Sequence, residues 1–356
     1  MILVFGATGY TGRLVAQQLA AGEPPFALAG RDRTQLENLA SELPRPPAEL
    51  READVCDGAS LSAMLEGATG IINCVGPFEQ LGPPVVGAAA SHAVPYCDVT
   101  GEPAFIAHVA DAHGDAAVPL APGSGFDYTP HCLAAALAAG AVEEPVRIET
   151  GLLAQRFVPT VGTQTSALGA LDRGGAAIED GVRAEVQVGA LRHRFEFDGG
   201  KRYDSVCYPG GDPLQIHRHF PRAGIVRSYA AVPPGVAWMA GAGFRMMRGL
   251  ARAGFVQRRF ARRNATSNQG PPDEVRKRSR FQVSAEAEGA DGGVARALIT
   301  GSDVYWSTAA IAIALAQRLQ RWRELDIPAG FCAPSQVAGD PVAFARECGL
   351  ELSLLD

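Results

Sequence analysis

The strongest constraint on the fold lies at the very start of the sequence. The apolar run Ile2–Phe5 leads directly into the turn Gly6-Ala-Thr-Gly9-Tyr-Thr-Gly12, and Thr11–Ala21 then follows with the composition of a helix. A short, uninterrupted apolar run is typical of a buried parallel strand. A strand, a tight glycine turn and a helix in immediate succession therefore predict the first half of a βαβ unit.

The alternation of strands and helices continues over the first hundred residues. Phe26–Ala29 predicts a second strand, and Arg33–Leu43 predicts a helix because its leucines recur at helical spacing. Three further strands are predicted at Glu49–Ala53, Gly70–Cys74 and Val94–Cys97. Strands separated by helices indicate a parallel, doubly wound sheet. We therefore expect an α/β Rossmann domain over residues 1–123.

The glycine turn has the spacing GxxGxxG rather than GxGxxG. Gly6 permits the tight turn, Gly9 lets the backbone approach a pyrophosphate, and Gly12 brings the helix close to the strand. The N–H groups at the start of the helix then face the anion. A chance glycine-rich turn is the alternative, but this turn follows a strand and opens a helix, as a dinucleotide site requires. The predicted cofactor contacts here are Gly6, Thr8, Gly9, Tyr10, Thr11 and Gly12.

The residues after the second strand decide which dinucleotide is expected. NAD-binding domains usually place Asp or Glu there, whereas this chain has Arg31, followed by Asp32 and Arg33. A guanidinium suits a 2′-phosphate, because it forms bidentate, charge-assisted hydrogen bonds. The alternative is that both arginines are solvated surface residues. We predict NADP(H) as the cofactor, with Arg31 at its 2′-phosphate.

Two further strand ends are predicted to complete the cofactor site. Asp54 and Val55 follow the third strand, where a carboxylate and an apolar side chain can flank the adenine. Cys74, Val75 and Gly76 follow the fourth strand, at the crevice where such sheets bind ligands. An ordinary strand-ending turn is the alternative for this second segment. No metal site is predicted, because the seven cysteines include no CxxC pair.

The strand and helix pattern loosens after about Gly123. Residues 119–130 are rich in Gly and Pro, which predicts a crossover between domains. Alternating apolar and polar residues at 182–197, 280–288 and 294–300 indicate longer, partly antiparallel strands, and 302–322 has the pattern of a helix. We expect a second, α+β domain with a mixed or antiparallel sheet over residues 124–330. The segment 331–356 is predicted to pack back onto the first domain.

Charge is distributed unevenly along the chain. The interval between Asp212 and Asp273 holds ten arginines and no acidic residue, and removing those ten charges from the formal net charge of −6 leaves −16 elsewhere. This asymmetry favours an acidic carrier protein or an anionic membrane surface as the partner of residues 218–263. A solvated cationic helix is an equal alternative. No nucleic-acid partner is expected, since the net charge of the whole chain is negative.

The sequence also bears on the compartment. No basic segment precedes an apolar one at the N-terminus, and no apolar run reaches about eighteen residues, so neither a signal peptide nor a transmembrane span is expected. The odd number of widely spaced cysteines argues against a disulfide framework. We therefore expect a cytoplasmic protein, with peripheral membrane association through the arginine-rich stretch as an alternative.

Motifs along nearly the whole chain carry a resemblance to a known family. They begin with GATGYTG, Gly30-Arg31, Gly76-Pro77-Phe78 with Gly82 and Pro84-Val85-Val86, and Tyr96-Cys-Asp98-Val-Thr-Gly101-Glu102. Looser matches follow at Gly125-Phe126-Asp127, Pro130, Gly162-Thr163, Ser166, Gly270-Pro271, Arg276, Asp303-Val-Tyr305, Thr308, Gly330-Phe331 and Pro334. Together they resemble the saccharopine dehydrogenase-like oxidoreductases, and among these the trans-acting enoyl reductase-like members. The resemblance implies an NADP-dependent oxidoreductase whose second domain covers the nicotinamide and holds the substrate.

The chain departs from that family pattern on the expected substrate side. Relatives often have a hydroxyl residue where this chain has Ala333, and Gly-Tyr-Gly where it has Val304-Tyr305-Trp306. These differences concern the identity of the substrate more than the fold.

The catalytic residues are less clearly marked than the cofactor site. The chain has no Tyr-x-x-x-Lys dyad, and its two lysines lie outside any catalytic motif. Hydride transfer still needs a proton source. The candidates lie where the strands of the first domain end and the crossover begins, and Tyr128 is our first choice among them. The others are Asp127 and Asp98, both in family-matching motifs, and Tyr96, Glu102 and His131. The alternative for the two aspartates is that they orient loops by accepting backbone N–H groups.

Three functions remain open from the sequence. The first is NADPH-dependent reduction of a C=C or C=O bond in a lipophilic, acyl or polyketide-type small molecule. The second is reductive amination of an amino-acid substrate, for which the predicted cleft segments hold no convincing cluster of groups that would bind carboxylates. The third is a non-catalytic NADPH-binding module. For each of them a homodimer is our hypothesis for the assembly.

Overall fold

The computed structural model describes residues 1–160, 162–164, 175–208, 210–233 and 270–355. The chain divides into two units by its internal contacts. The first comprises Met1–Thr100, Phe105–Asp127 and Tyr305–Ala338, and the second comprises Gly101–Ala104, Tyr128–Val304 and Gly339–Asp356. Most of the arginine-rich stretch, from residue 234 onward, lies outside the described residues.

The first unit is built on a seven-stranded parallel sheet. Its strands, numbered in chain order, are β1 (Ile2–Phe5), β2 (Phe26–Gly30), β3 (Glu49–Glu52), β4 (Gly70–Asn73), β5 (Tyr96–Asp98), β6 (Pro119–Ala121) and β15 (Gly330–Phe331). They lie in the order β15-β6-β5-β4-β1-β2-β3. All residues of β1 and β2 are buried, which explains why these strands read as uninterrupted apolar runs. The order of the first six strands is that of a Rossmann domain.

Helices connect these strands. They are α1 (Tyr10–Ala21), α2 (Arg33–Glu42), α3 (Gly58–Leu65), α4 (Phe78–Ser91), α5 (Pro103–His113), α9 (Val304–Leu319) and α10 (Pro334–Ala338). Two of them begin at a carboxylate, because Asp32 accepts the N–H of Gln35 and Asp57 accepts the N–H of Ala59, both at 3.0 Å. Such N-caps satisfy backbone donors that have no partner inside the helix.

The second unit contains a nine-stranded mixed sheet. Its strands are β7 (Pro145–Gln155), β8 (Gly175–Glu179), β9 (Val182–Val186), β10 (Arg192–Phe197), β11 (Lys201–Cys207), β12 (Ile225–Ala231), β13 (Arg280–Gly289), β14 (Val294–Ser302) and β16 (Glu351–Leu355). Seven lie in the order β10-β11-β12-β7-β13-β14-β16, and β8 joins the path by pairing with β12 and β9. The β12–β7 pair is parallel, and its neighbours β11–β12 and β13–β7 are antiparallel.

Helices pack on one face of this sheet. They are α6 (Thr129–Ala139), α7 (Asp212–His219) and α11 (Pro341–Glu347), and a short helix, α8 (Asp273–Arg276), precedes β13. The Thr150 hydroxyl of β7 donates to Asp212 of α7 at 3.1 Å, which identifies the helix-covered face. The opposite face carries an apolar cluster of Phe195, Phe197, Cys207, Tyr229 and Leu298.

The predicted fold class is confirmed, with a parallel-sheet domain followed by a mixed-sheet domain, and each unit is built from separate segments of the chain. Tyr305–Ala338 lies in the first unit, and Gly339–Asp356 lies in the second. The last strand extends the second sheet, where Leu352 pairs with Ile299. Pro119–Ala121, expected in a crossover, forms β6. No helix among the described residues is long and apolar enough to cross a membrane.

Candidate functional site

The candidate site lies where the strand order of the first sheet reverses. β1 pairs in parallel with both β2 and β4, so the turns that follow β1 and β4 leave the sheet at the same edge. A Cβ placed on Gly6 would lie 2.8 Å from Cγ2 of Val75, so the two turns are in close contact. Ligands of doubly wound sheets bind at this switch point, beyond the carboxyl ends of the strands.

Gly12 and Gly9 of the first turn are glycines for different reasons. A Cβ on Gly12 would lie 2.3 Å from the carbonyl oxygen of Gly6 and 2.8 Å from Cα of Ala7, so the packing of helix on turn excludes any side chain. A Cβ on Gly9 would have one neighbour within 4 Å, the carbonyl oxygen of Gly6 at 3.3 Å. The backbone of Gly9 has φ −72° and ψ 168°, which any residue can adopt. The protein therefore leaves open space beside Gly9, as a bound pyrophosphate would require.

The start of α1 is suited to an anion. Gly9 is the N-cap residue and provides no side-chain cap, and the first turn contains no acidic residue. The positive end of the helix dipole is therefore not neutralised by the helix itself. The other predicted contacts of this turn, Thr8, Tyr10 and Thr11, are half-buried in the same segment.

The two arginines after β2 differ in their partners. Arg33 pairs with Glu37 at 2.8 Å and donates to the carbonyl of Leu50 at 2.9 Å. Asp32 is occupied as the N-cap of α2, and its hydrogen bond from the Gln35 N–H lowers the pKa of its carboxyl. The Arg31 guanidinium is exposed and forms no hydrogen bond or ion pair with the described residues. Of these three charged groups, Arg31 is the one available to a 2′-phosphate.

The ends of β3 and β4 hold the remaining predicted cofactor residues. The Asp54 carboxylate is exposed and accepts the N–H of Cys56 at 2.8 Å, and Val55 beside it is half-buried. After β4, the buried side chain of Asn73 accepts the N–H of Val75 at 3.0 Å and so fixes the following turn. Burial raises the pKa of the Cys74 thiol to about 12, so this thiol is protonated at neutral pH and is not a nucleophile.

Asp98 is fully buried at the end of β5. Its Oδ1 accepts the N–H of Thr100 at 2.9 Å and the N–H of Gly123 at 2.8 Å. Its backbone carbonyl also accepts the N–H of Ser124 at 2.7 Å. Asp98 therefore connects the end of β5 with the loop after β6, and this geometry favours the loop-orienting interpretation over proton transfer.

Asp127 and Tyr128 come after β6, a parallel strand whose carboxyl end lies at the same edge of the first sheet as the glycine turn. Burial raises the pKa of the Asp127 carboxyl to about 6. A carboxyl group with such a pKa is protonated often enough near neutral pH to serve as an acid. Tyr128 is the N-cap residue of α6 and is almost completely buried. Asp127, a candidate alongside the preferred Tyr128, therefore has a pKa that suits a proton donor near neutral pH.

Sequence reasoning gave no role to the residues that α9 brings to this unit. Tyr305 contacts Tyr10 of the glycine turn, and the Thr308 hydroxyl accepts the N–H of Phe126 at 3.2 Å. Both Tyr305 and Thr308 belong to motifs of the family resemblance. Nothing local in the sequence predicts either contact, because the contacting residues lie far apart along the chain. No group of three or more His, Cys, Asp or Glu residues in the described part of the chain could hold a metal ion.

Comparisons with known proteins support this interpretation of the first unit. Over 149 residues the chain is 33% identical to the human saccharopine dehydrogenase-like oxidoreductase, covering 36% of this chain and 35% of that protein. Over 117 residues it is 38% identical to the trans-acting enoyl reductase of Mycobacterium leprae, covering 32% of this chain and 28% of that protein. The chain thus spans about a third of the length of the curated relatives that it matches.

A solved structure resembles the whole chain. Apo saccharopine dehydrogenase (L-Glu forming) from Saccharomyces cerevisiae aligns with a TM-score of 0.61 and 15% identity, covering 100% of this chain and 99% of that chain. At this identity the similarity shows the fold alone. Residues 2–123 match the sequence profile of the saccharopine dehydrogenase NADP binding domain. The N-terminal part of this chain is therefore similar to the saccharopine dehydrogenase NADP binding domain, as its motifs predicted.

Proposed function

We propose that the protein is an NADPH-dependent oxidoreductase that reduces a C=C or C=O bond in a lipophilic, acyl or polyketide-type substrate. The observation that carries this proposal is the position of Asp127. Its carboxyl, with a pKa of about 6, follows β6 at the carboxyl edge of the sheet that forms the NADP-binding domain. Such a reduction has two requirements at the same sheet edge, a cofactor that delivers a hydride and an acid that delivers a proton.

Each turn at the carboxyl edge of the first sheet is proposed to contact a different group of NADP(H). The N-terminus of α1 and the open space beside Gly9 accommodate the pyrophosphate. Arg31 binds the 2′-phosphate, since its guanidinium is not used by the protein. Asp54 and Val55 flank the adenine, and the turn Cys74–Gly76 lies towards the nicotinamide ribose.

The chemistry requires one hydride and one proton. NADPH, when bound, would supply the hydride for the β-carbon of a 2-enoyl group or for a carbonyl carbon. Asp127 gives its proton to the α-carbon or to the carbonyl oxygen, so that one π bond is replaced by one C–H bond and a second C–H or O–H bond. The resulting Asp127 carboxylate must take up a proton from solvent before the next turnover, and we expect the rate to fall as the pH rises above about 6.

The names of the relatives support two different reactions. Reduction of an enoyl group follows from the similarity to the mycobacterial trans-acting enoyl reductase. Reductive amination of an amino-acid substrate is the second candidate, and it follows from the similarity to the human saccharopine dehydrogenase-like oxidoreductase. A non-catalytic NADPH-binding module is the third.

The arginine-rich stretch is proposed to bind an acidic carrier protein or an anionic membrane. Two of its ten arginines are already paired inside the second unit, Arg222 with Glu144 and Arg227 with Glu179. Apart from Arg218 on α7, the remaining arginines are the seven between 245 and 263, which lie outside the described residues, and the proposal rests on these seven. Sedimentation with phosphatidylserine vesicles or with an acidic acyl carrier protein, lost at high salt, would support it. Binding to neither would contradict it.

The reaction is tested by NADPH consumption against two groups of substrates. One group contains long-chain 2-enoyl and 3-oxo thioesters, and the other contains glutamate with 2-aminoadipate semialdehyde. Turnover confined to the thioesters supports the proposed reduction, whereas turnover confined to the amino-acid pair contradicts it and favours the second candidate. NADPH binding with turnover of neither group favours the non-catalytic module.

A further inference from the structure

The NADP-binding domain defined by the sequence profile ends at residue 123, but the first unit does not. Its C-terminal portion, Tyr305–Ala338, contains nearly all of α9, β15 and α10. The first turn of α9 contacts the glycine turn itself. This contact is supplied by residues that neither the profile nor the proposed reaction accounts for.

The contact joins two tyrosine rings. Tyr10 is the first residue of α1 and lies between Gly9 and Thr11. Its ring meets the ring of Tyr305 in an edge-to-face arrangement, with centroids 5.1 Å apart and planes at 88°. Tyr305 is 7% exposed, so its ring is held by its surroundings. Aromatic pairs prefer this edge-to-face geometry, which stabilises them beyond the burial of their area.

Two other contacts fix the first turn of α9. The side-chain amide of Gln18, on α1, donates to the carbonyl of Trp306 at 2.9 Å. Thr308 accepts the N–H of Phe126 at 3.2 Å, and a Cβ on Gly125 would lie 2.9 Å from its methyl group. The turn is therefore attached to α1 on one side and to the loop that leads to Asp127 on the other. These contacts hold the backbone at Tyr305 next to α1, within reach of the Tyr10 ring.

We propose that Tyr305 is a positioning residue for the NADP site. Its ring holds Tyr10, and through Tyr10 it holds the first turn of α1 in the orientation that the pyrophosphate requires. Tyr305 does not need to touch the cofactor. The inference rests on the NADPH binding that the proposed function requires, and on none of its chemical steps.

The test measures the dissociation constant of NADPH by nicotinamide fluorescence, in the full chain and at one salt concentration. For Tyr305→Ala we expect binding at least about tenfold weaker, because the turn loses the ring that orders it. For Tyr305→Phe, which keeps the ring, we expect a change of less than about twofold. Trp306→Ala is the matched control, since Trp306 is the next residue, is 41% exposed and uses its backbone carbonyl in the contact with Gln18. It should also bind within about twofold of the unmodified protein.

A double-mutant cycle separates positioning from a general loss of stability. If Tyr305 acts through Tyr10, the variant with both Tyr10→Ala and Tyr305→Ala should bind NADPH about as weakly as Tyr10→Ala alone. Independent, multiplying effects would overturn the inference. Unchanged binding in a folded Tyr305→Ala protein would also overturn it. If Tyr305→Ala fails to fold, Tyr305→Leu takes its place with the same expected loss.

The outcomes distinguish this inference from the proposed function. Failure of the unmodified protein to bind NADPH would contradict both. Normal NADPH binding that is insensitive to Tyr305→Ala would contradict the inference alone. Weaker binding in Tyr305→Ala, in a protein that reduces none of the substrates offered, would support the inference and contradict the proposed reaction.

Discussion

Polar groups have opposite roles in two regions of the molecule. One region is the cofactor site of the first unit; the other is an ion network in the second unit, formed by Glu149, Glu179, His193, Arg227 and Tyr229. In the cofactor site, the Arg31 guanidinium after β2 forms no hydrogen bond or ion pair with the described residues, and the space beside Gly9 is open. In the network, Glu149 is 4% exposed, accepts the hydroxyl of Tyr229 at 2.7 Å and lies 3.5 Å from Arg227. A polar group that forms no hydrogen bond or ion pair within the protein indicates a ligand site. Polar groups that pair with one another indicate a role in stabilising the fold.

The charged groups of the ion network are paired with one another. Arg227 forms two hydrogen bonds of 2.7 Å with the Glu179 carboxylate. These bonds raise the pKa of Arg227, and burial next to Glu149 raises the pKa of Tyr229 above its usual range. His193 lies 3.8 Å from Glu149 and its ring packs on Phe195. Each charge here faces a partner, so we expect substitutions in the network to change stability and not cofactor binding.

The two glycines of the turn give the largest expected effect. Gly12→Ala should lower the free energy of unfolding by about 3 kcal/mol, since the new Cβ would overlap the backbone of Gly6 and Ala7. Gly9→Ala should cost less than about 1 kcal/mol and yet weaken NADPH binding at least about tenfold. Urea denaturation and fluorescence titration measure the two effects. Equal stability losses in both variants would contradict the assignment of Gly12 to helix packing and of Gly9 to cofactor binding.

The second expected effect lies in the ion network. Glu149→Ala should lower the free energy of unfolding by about 2 kcal/mol, because it leaves the buried Tyr229 hydroxyl without its acceptor. Tyr229→Phe should cost about 1 kcal/mol, and the NADPH dissociation constant should not change in either variant. A shift in NADPH affinity without a loss of stability would mean that the network belongs to the cofactor site.

Asp127→Asn should stabilise the protein at neutral pH. The folded protein raises the pKa of Asp127 from 3.8 to about 6, so ionisation is disfavoured in the folded state. The contribution of Asp127 to the free energy of unfolding is therefore fully present below about pH 4 and is lost as the pH rises through 6. The full shift corresponds to at most about 3 kcal/mol, and a half-buried group should give roughly 1.5 kcal/mol.

Asparagine cannot ionise, so Asp127→Asn should be more stable than the unmodified protein at pH 8 and equal to it at pH 4. Urea denaturation at the two pH values measures this difference. Reductase activity should be lost in the same variant, since the proton donor is removed. A variant that is fully active, or equally stable at both pH values, would contradict the assignment of Asp127 as the acid.

The first unit was predictable where its constraints are local. Ile2–Phe5 and Phe26–Ala29 reveal buried strands because both faces require apolar side chains, and the strands were found within one residue of these bounds. β6 was missed, because Pro119–Ala121 has three residues, begins with proline and shows no period. The contact of Tyr305 with Tyr10 was missed because it is set by tertiary packing over a long separation in sequence.

The second unit was predictable only in outline. Alternation over 182–197 suggested continuous strand structure, whereas the chain forms β9 and β10 with a turn at Gly189, whose φ is +75°. The ion network had no signature in the sequence, since Glu149, Glu179 and Arg227 come from three separate strands. Sheet register brings them together, and register depends on the whole fold.

The most direct test of the account compares two neighbouring arginines. Arg31→Ala should weaken NADPH binding about tenfold or more and leave NADH binding within about twofold, because only NADPH carries the 2′-phosphate. Arg33→Ala is the matched control, since Arg33 is already paired with Glu37, and it should change neither dissociation constant by more than about twofold. Equal losses for NADPH and NADH in Arg31→Ala, or a larger loss in Arg33→Ala, would contradict the assignment of Arg31 as the uncommitted charge that selects NADP(H).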